Sequence, residues 1–286
     1  MLPNFKELVK IKDKAKKINL FSPKRHILDA GGQISNIKGR GMEFDQVRAY
    51  EIGDDVKNIH WKITAKTNEP HVKTFIEEKQ KNITICVDVN EGMNFGTRNV
   101  FKSVQAARIA AIIAWKANSN NDRIGGCLFG GGKTDIIPDS KSELSILKIL
   151  RKLSKNKISP NKTKLSNAIK EISKTVKNGS TIFIISDFLD IEENLTKDLS
   201  MLQSKNDVIF IAVNDPFDKE LPKMGKINLN SNGKKFTFDC NNQDFQKNYQ
   251  RQWQDNSEKL QTIMKNLMIP KVDISTESNI LKNLRN

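Results

Sequence analysis

Two apolar runs that each end in an aspartate constrain this chain more than any other feature. Ile83-Thr84-Ile85-Cys86-Val87 runs into Asp88, and Thr181-Ile182-Phe183-Ile184-Ile185-Ser186 runs into Asp187. Neither run alternates with polar residues, so both faces of each strand must be covered. Continuous apolar strands separated by helical patterns imply a mostly parallel sheet with helices on both faces. The pattern between the runs supplies those helices. Phe101, Val104, Ala107, Ala111 and Trp115 recur at helical spacing over residues 100–116, and Leu144, Leu147, Leu150 and Leu153 follow Ser140-Lys141-Ser142-Glu143, a capping-box sequence. Further strands are expected at 124–129, 134–137, 208–213 and 270–275. A hairpin is expected across Asn232-Gly233, and Phe245 to Leu267 fits one long helix.

The N-terminal part reads differently. Residues 4–20 suggest a basic amphipathic helix with Phe5, Leu8 and Val9 on one side. It can dock on the protein body or lie on an anionic bilayer. From about 25 to 80 the expectation is short strands (47–50, 59–64 and 71–77) with a turn at Gly53-Asp54-Asp55. The chain thus divides at 81/82 into a basic helix plus β-rich segment and an α/β domain.

Composition narrows the function classes. No run reaches the about 18 apolar residues of a membrane span, and Met1 to Lys6 has no secretory-signal pattern. Cys86, Cys127 and Cys240 are odd in number and far apart. They read as buried thiols of a cytoplasmic protein, not a disulfide or zinc framework. The net charge is +15, which attracts anionic partners. Lysines spread over the whole chain are more simply a solvated coat.

Four groups of residues could carry chemistry. Gly130-Gly131-Gly132-Lys133-Thr134 imitates the end of a phosphate loop. Cys127 stands where that loop needs glycine, and Asp135-Ile136-Ile137-Pro138 follows instead of a helix, so nucleotide binding is not expected. Asp88, Asn90, Thr163 and Asp187 offer hard oxygen ligands suited to Mg2+ or Ca2+, at the carboxyl ends of two strands and the start of one helix. The plainer reading is that the aspartates cap turns or helices. His60 with Asp54 and Asp55 could be an acid–base set, but no nucleophile accompanies it. Arg48, Tyr50, Asp54, Asp55, Trp61 and Glu77 mix ion-pairing groups with aromatic anchors. Such a set can brace a turn-rich segment, form a docking surface, or do both.

Taken in order, Gly39-x-Gly41-x-Glu43-Phe44, Arg48-x-Tyr50, Gly53-Asp54-Asp55, Ile59-x-Trp61, Phe75-x-Glu77-Glu78, Met93-x-Phe95-Gly96-Thr97, Asp122-Arg123-x-Gly125, Ser186-Asp187-Phe188 and Asp215-Pro216 resemble the domain of unknown function 58 family of bacterial proteins. The resemblance implies a von Willebrand factor A-like, Rossmann-type α/β sheet preceded by a small β-rich part. It implies protein partners, namely a MoxR-type AAA+ ATPase and other von Willebrand A proteins, in stress tolerance or chaperone-like assembly. It implies no catalytic activity. Related domains hold a metal through Asp-x-Ser-x-Ser plus a later threonine and aspartate. Here the run is Asp88-Val89-Asn90-Glu91-Gly92, with Thr163 and Asp187 in the later positions. A degenerate site with weak or no Mg2+ (or Ca2+) is therefore expected. His60 stands where aspartate is usual, and Lys66 where arginine is.

The expectation is a cytoplasmic, non-enzymatic adaptor, with inner-membrane contact through the N-terminal helix left open. A nucleic-acid binder and a metal-dependent hydrolase are the rivals. Nucleic acid is not the expected partner, because Arg and aromatic residues do not interleave as in a stacking platform.

Overall fold

A computed structural model describes residues 3–16, 42–77, 80–155, 161–221, 225–231, 234–278 and 280. The chain forms two compact units. Residues 1–23 and 81–286 make one, and residues 24–80 the other.

In the larger unit the expected strands assemble into a six-stranded sheet, counted among the described residues. Its strands are β3 (Asn82–Asp88), β4 (Arg123–Gly130), β5 (Lys133–Ser140), β6 (Thr181–Ser186), β7 (Asp207–Asn214) and β10 (Lys271–Ser275), in the order β10-β7-β6-β3-β4-β5. All neighbours pair in parallel except β4 and β5, an antiparallel hairpin. Pro138 lies in β5, the edge strand, where a missing N–H is tolerated. This is the Rossmann-type, von Willebrand factor A-like arrangement that the resemblance implies.

The central strands are buried almost throughout, and successive side chains point to opposite faces and join different apolar clusters. Ile83, Ile85 and Val87 of β3, Phe183 and Ile185 of β6, and Ile209, Ile211 and Val213 of β7 join one apolar cluster. Cys86, Ile182, Ile184, Val208, Phe210 and Ala212 join the other. Helices α4 (Lys102–Ser119) and α5 (Glu143–Lys155) cover the first face. Helices α6 (Leu165–Thr175), α7 (Leu195–Gln203) and α9 (Gln243–Leu267) cover the second.

Helix α4 is apolar nearly all round, which marks a helix buried on both sides. Its outer side is covered by two short helices, α1 (Phe5–Lys10) and α2 (Lys12–Ala15). Leu8 and Ala15 are buried against it, and the indole Nε1 of Trp115 donates to the Leu8 carbonyl at 3.1 Å. Arg108 on α4 pairs with Glu7 at 2.6 Å, and Lys12 pairs with Glu143 of α5. The apolar side of this segment is thus spent on the protein, not on a bilayer. It belongs with the α/β unit, whereas the sequence reading groups it with the β-rich segment. The reason is a large apolar face on α4 that the sheet alone cannot cover. Residues 17–20 of the expected N-terminal helix lie outside the described residues.

The smaller unit contains an antiparallel pair, β1 (Met42–Ala49) and β2 (His71–Glu77), with a break in register between Phe44 and Gln46. Between them lie a single 3-10 turn at Val56–Asn58 and helix α3 (Trp61–Thr67). The strand expected at 59–64 is a correction: this segment is helical from Trp61. Its termini decide the matter. His60 Nδ1 accepts from the Ile63 N–H at 3.4 Å, and Asn68 closes the helix in the left-handed conformation at φ 57°. A second hairpin, β8 (Lys226–Ser231) with β9 (Lys234–Asp239), precedes α9. The turn expected at Asn232-Gly233 lies outside the described residues.

Candidate functional site

The strand order reverses between β3 and β6. From β3 the chain proceeds outward to β4 and β5, then returns to the other side of β3 through β6. The connections leaving the carboxyl ends of these two neighbours therefore run to opposite faces of the sheet and leave a crevice, the usual ligand position of an open α/β sheet. Asp88 ends β3 and Asp187 follows β6, so both carboxylates stand at this opening. The crevice has a volume of about 880 Å³, and Asp88, Asn90, Thr163 and Asp187 all line it.

Its floor is a closed hydrogen-bond network. Asp88 Oδ1 accepts from the Asn90 backbone N–H at 2.9 Å and from Asn90 Nδ2 at 2.8 Å. Asp88 Oδ2 accepts from Ser186 Oγ at 2.7 Å. Asn90 Nδ2 also donates to the Thr163 carbonyl at 2.9 Å, while Asn90 Oδ1 accepts from the Thr163 N–H at 2.8 Å. That backbone donor fixes the orientation of the amide, because the opposite one would set two donors face to face. Thr163 Oγ1 donates to the Lys133 carbonyl at 3.2 Å. Glycine at position 130 lets β4 approach this loop. A side-chain carbon there would stand 2.6 Å from the Val89 carbonyl carbon and 2.7 Å from the Asn90 nitrogen.

Asp187 has a partner that sequence reasoning missed. Lys102, the first residue of α4, is 1% exposed, and its Nζ donates to Asp187 Oδ2 at 2.8 Å. The same ammonium contacts Asp218 Oδ1 at 3.0 Å and Oδ2 at 3.3 Å. Asp218 sits in helix α8 (Pro216–Lys219) and completes a capping box with Asp215. Asp215 in turn accepts from Thr97 Oγ1 and Thr276 Oγ1, both at 2.6 Å. Burial opposes the Lys102 charge, but Asp187 and then Asp218 outweigh it and hold the ammonium above the ordinary lysine value. Burial pushes the Asp218 carboxyl above the usual range despite Lys102. Burial, with Asp187 second, pushes Asp88 up to about 6. A signal for Lys102 was present: a lysine opens a helix of otherwise buried apolar residues, where the helix dipole disfavours a cation.

These residues do not present the donor set of a divalent cation. Mg2+ and Ca2+ need several oxygen ligands directed at one point. Here the Asn90 oxygen faces a backbone N–H, the Thr163 hydroxyl faces a carbonyl, and an ammonium occupies Asp187. Gly92 supplies no side-chain ligand atom. No group of three or more His, Cys, Asp or Glu among the described residues is placed to hold a metal ion.

The walls above the floor are aromatic. Phe95, Phe188, Phe217, Phe238, Phe245 and Tyr249 line them. Phe95 and Phe217 meet at 5.3 Å, as do Phe238 and Phe245. Helix α9 ties this wall to the strand ends. Tyr249 Oη donates to the Phe217 carbonyl at 3.0 Å, and Asn256 Nδ2 donates to the Phe188 carbonyl at 3.1 Å.

The remaining predicted residues lie in the smaller unit. Arg48 donates to Asp54 Oδ1 at 2.7 Å and to the Ala49 carbonyl at 2.9 Å, while Asp54 Oδ2 accepts from the Glu51 N–H at 2.9 Å. The Glu51 N–H and then the Arg48 guanidinium hold Asp54 below the usual carboxylate range. Asp55 caps the 3-10 turn through Lys57 N at 3.0 Å. Tyr50 donates its backbone N–H to Pro70 O at 2.8 Å. Glu77 pairs with Met42 at the end of the β1–β2 ladder. Trp61 is 68% exposed, with Ile52 and Val56 also exposed in this unit. His60 is engaged as the cap of α3.

Comparison with known proteins adds the following. Uncharacterized proteins Rv1480 of Mycobacterium tuberculosis and Mb1516 of Mycobacterium bovis are each 29% identical over 201 residues, 70% of this chain. The match spans 63% of the length of those relatives. Among solved structures, the conserved hypothetical protein BatB from Bacteroides thetaiotaomicron overlaps at TM-score 0.48 and 17% identity, covering 71% of this chain and 94% of that one. An aerotolerance-related membrane protein from Bacteroides fragilis overlaps at 0.47 and 16%, covering 71% and 96%. The family model described as "Protein of unknown function DUF58" matches residues 46–259, well over half of the sequence, and the chain belongs to that family.

Proposed function

We propose that this chain is a non-enzymatic docking module that works with a MoxR-type AAA+ ATPase and other von Willebrand A proteins, with ATP hydrolysis belonging to the partner. One observation carries the reading. The polar groups on the crevice floor are committed to one another, while the walls are aromatic. A recess of that kind offers apolar area and fixed polarity to an incoming side chain. The Ser186 hydroxyl that meets Asp88 is itself buried and also accepts from the Phe188 N–H, so it is part of the floor network. Exposed Trp61 gives the smaller unit an aromatic anchor of its own. The choice of an AAA+ partner rests on the family resemblance, and a role in stress tolerance or assembly is part of the same proposal.

The test is affinity purification of the full chain from its native cells, with mass spectrometry of what accompanies it. An AAA+ ATPase is expected in stoichiometric amount. Leu189→Arg, at the half-exposed mouth of the crevice, is expected to cut its recovery at least tenfold while leaving the melting temperature unchanged. Recovery of the chain alone would overturn the proposal.

A further inference from the structure

We propose that the Lys102 ammonium is a built-in cation that takes the place of a divalent metal at this crevice, making the site metal-independent. Three carboxylates, Asp88, Asp187 and Asp218, line one recess and are 7%, 12% and 8% exposed on the residue or side chain. Buried carboxylates need a compensating charge. The structure supplies it from within the chain. Lys102 is 1% exposed, and its Nζ lies 2.8 Å from Asp187 and 3.0 Å from Asp218.

Two further features fit. An ammonium carries three N–H donors and no acceptor. Three carboxylate oxygens, Asp187 Oδ2 and both of Asp218, surround Nζ within 3.3 Å. The base of the side chain is also anchored. Lys102 opens a helix buried on both sides, and its backbone N–H donates to the Phe95 carbonyl at 2.8 Å. A soluble ion can be lost or exchanged, whereas this charge cannot leave.

The inference concerns how the crevice is charged, so its test needs no partner. Calorimetric titration of the full chain with Mg2+, Ca2+ and Mn2+ is expected to give no saturable heat. The melting temperature is expected to be the same with cation or with EDTA. One-site binding that raises the melting temperature would overturn the proposal. Lys102→Met is expected to lower the melting temperature by about 10 °C. It is also expected to create a response to cations, with several degrees regained in Mn2+. A folded K102M with no such response would count against the proposal. Should K102M fail to fold, the triple variant K102M/D187N/D218N separates charge from packing. Recovery of a cooperative transition is expected, because the uncompensated carboxylates are gone. A triple variant as unfolded as K102M would assign Lys102 to packing and sink the idea.

Discussion

At Asp88 the surroundings favour the protonated carboxyl, and this has a measurable consequence. Burial and the neighbouring Asp187 push its pKa to about 6, against an unfolded value near 3.9. A carboxyl raised on folding contributes stability that is complete below the unfolded value and is lost as pH climbs through the folded one. The effect is on the order of 3 kcal/mol at most. Asp88→Asn removes it. In urea unfolding at pH 4.5 and 7.5, the variant is expected to gain on the wild type as pH rises. Parallel profiles would contradict the assignment. Gly130→Ala tests the loop on the other side. Its new carbon meets backbone, not a yielding side chain, so a loss of more than about 2 kcal/mol is expected in the same assay. Asp88 and Asp187 were legible in the sequence because each ends an uninterrupted apolar run. Lys102 gave only a faint signal, as a cation opening an apolar helix, and Asp218 gave none. One is among 48 lysines and arginines, and the other looks like an ordinary helix-capping residue. Their importance comes only from residues far along the chain meeting in space.

Among the elements, the strands and long helices followed their periodicity closely, and 181–186 matched residue for residue. The segment at 59–64 did not. Ile59, Ile63 and Thr64 carry the β-branched character of a strand, but a cap at each end of a seven-residue helix overrides a weak propensity. The α1–α2 segment shows the opposite case: its amphipathic pattern was clear, and its partner was not. Leu8→Ala is expected to cost about 2–4 kcal/mol, because a fully packed side chain is removed from the α4 interface. Trp115→Phe keeps most of the packing and loses one hydrogen bond, so about 1 kcal/mol is expected. Chemical denaturation orders the two. Equal effects would mean that the indole bond, not apolar packing, holds the segment down.

For the whole molecule, all three thiols are fully buried and unbridged, two inside the sheet and one beside α9. Burial also pushes the Cys86 thiol well above its ordinary range. A thiol reagent is therefore expected to label none of them in the native protein within minutes and all three in denaturant. Prompt labelling of Cys86 or Cys127 without denaturant would mean that the sheet opens under native conditions. None of the helices among the described residues is long and apolar enough to cross a membrane. The division into two units has its own corollary. Residues 24–80 fall in sequence between the two stretches, 1–23 and 81–286, that make up the α/β unit. In sequence they are an insertion, flanked on both sides by stretches of the same unit. Excising such an insertion would join two stretches of one unit, not two separate units.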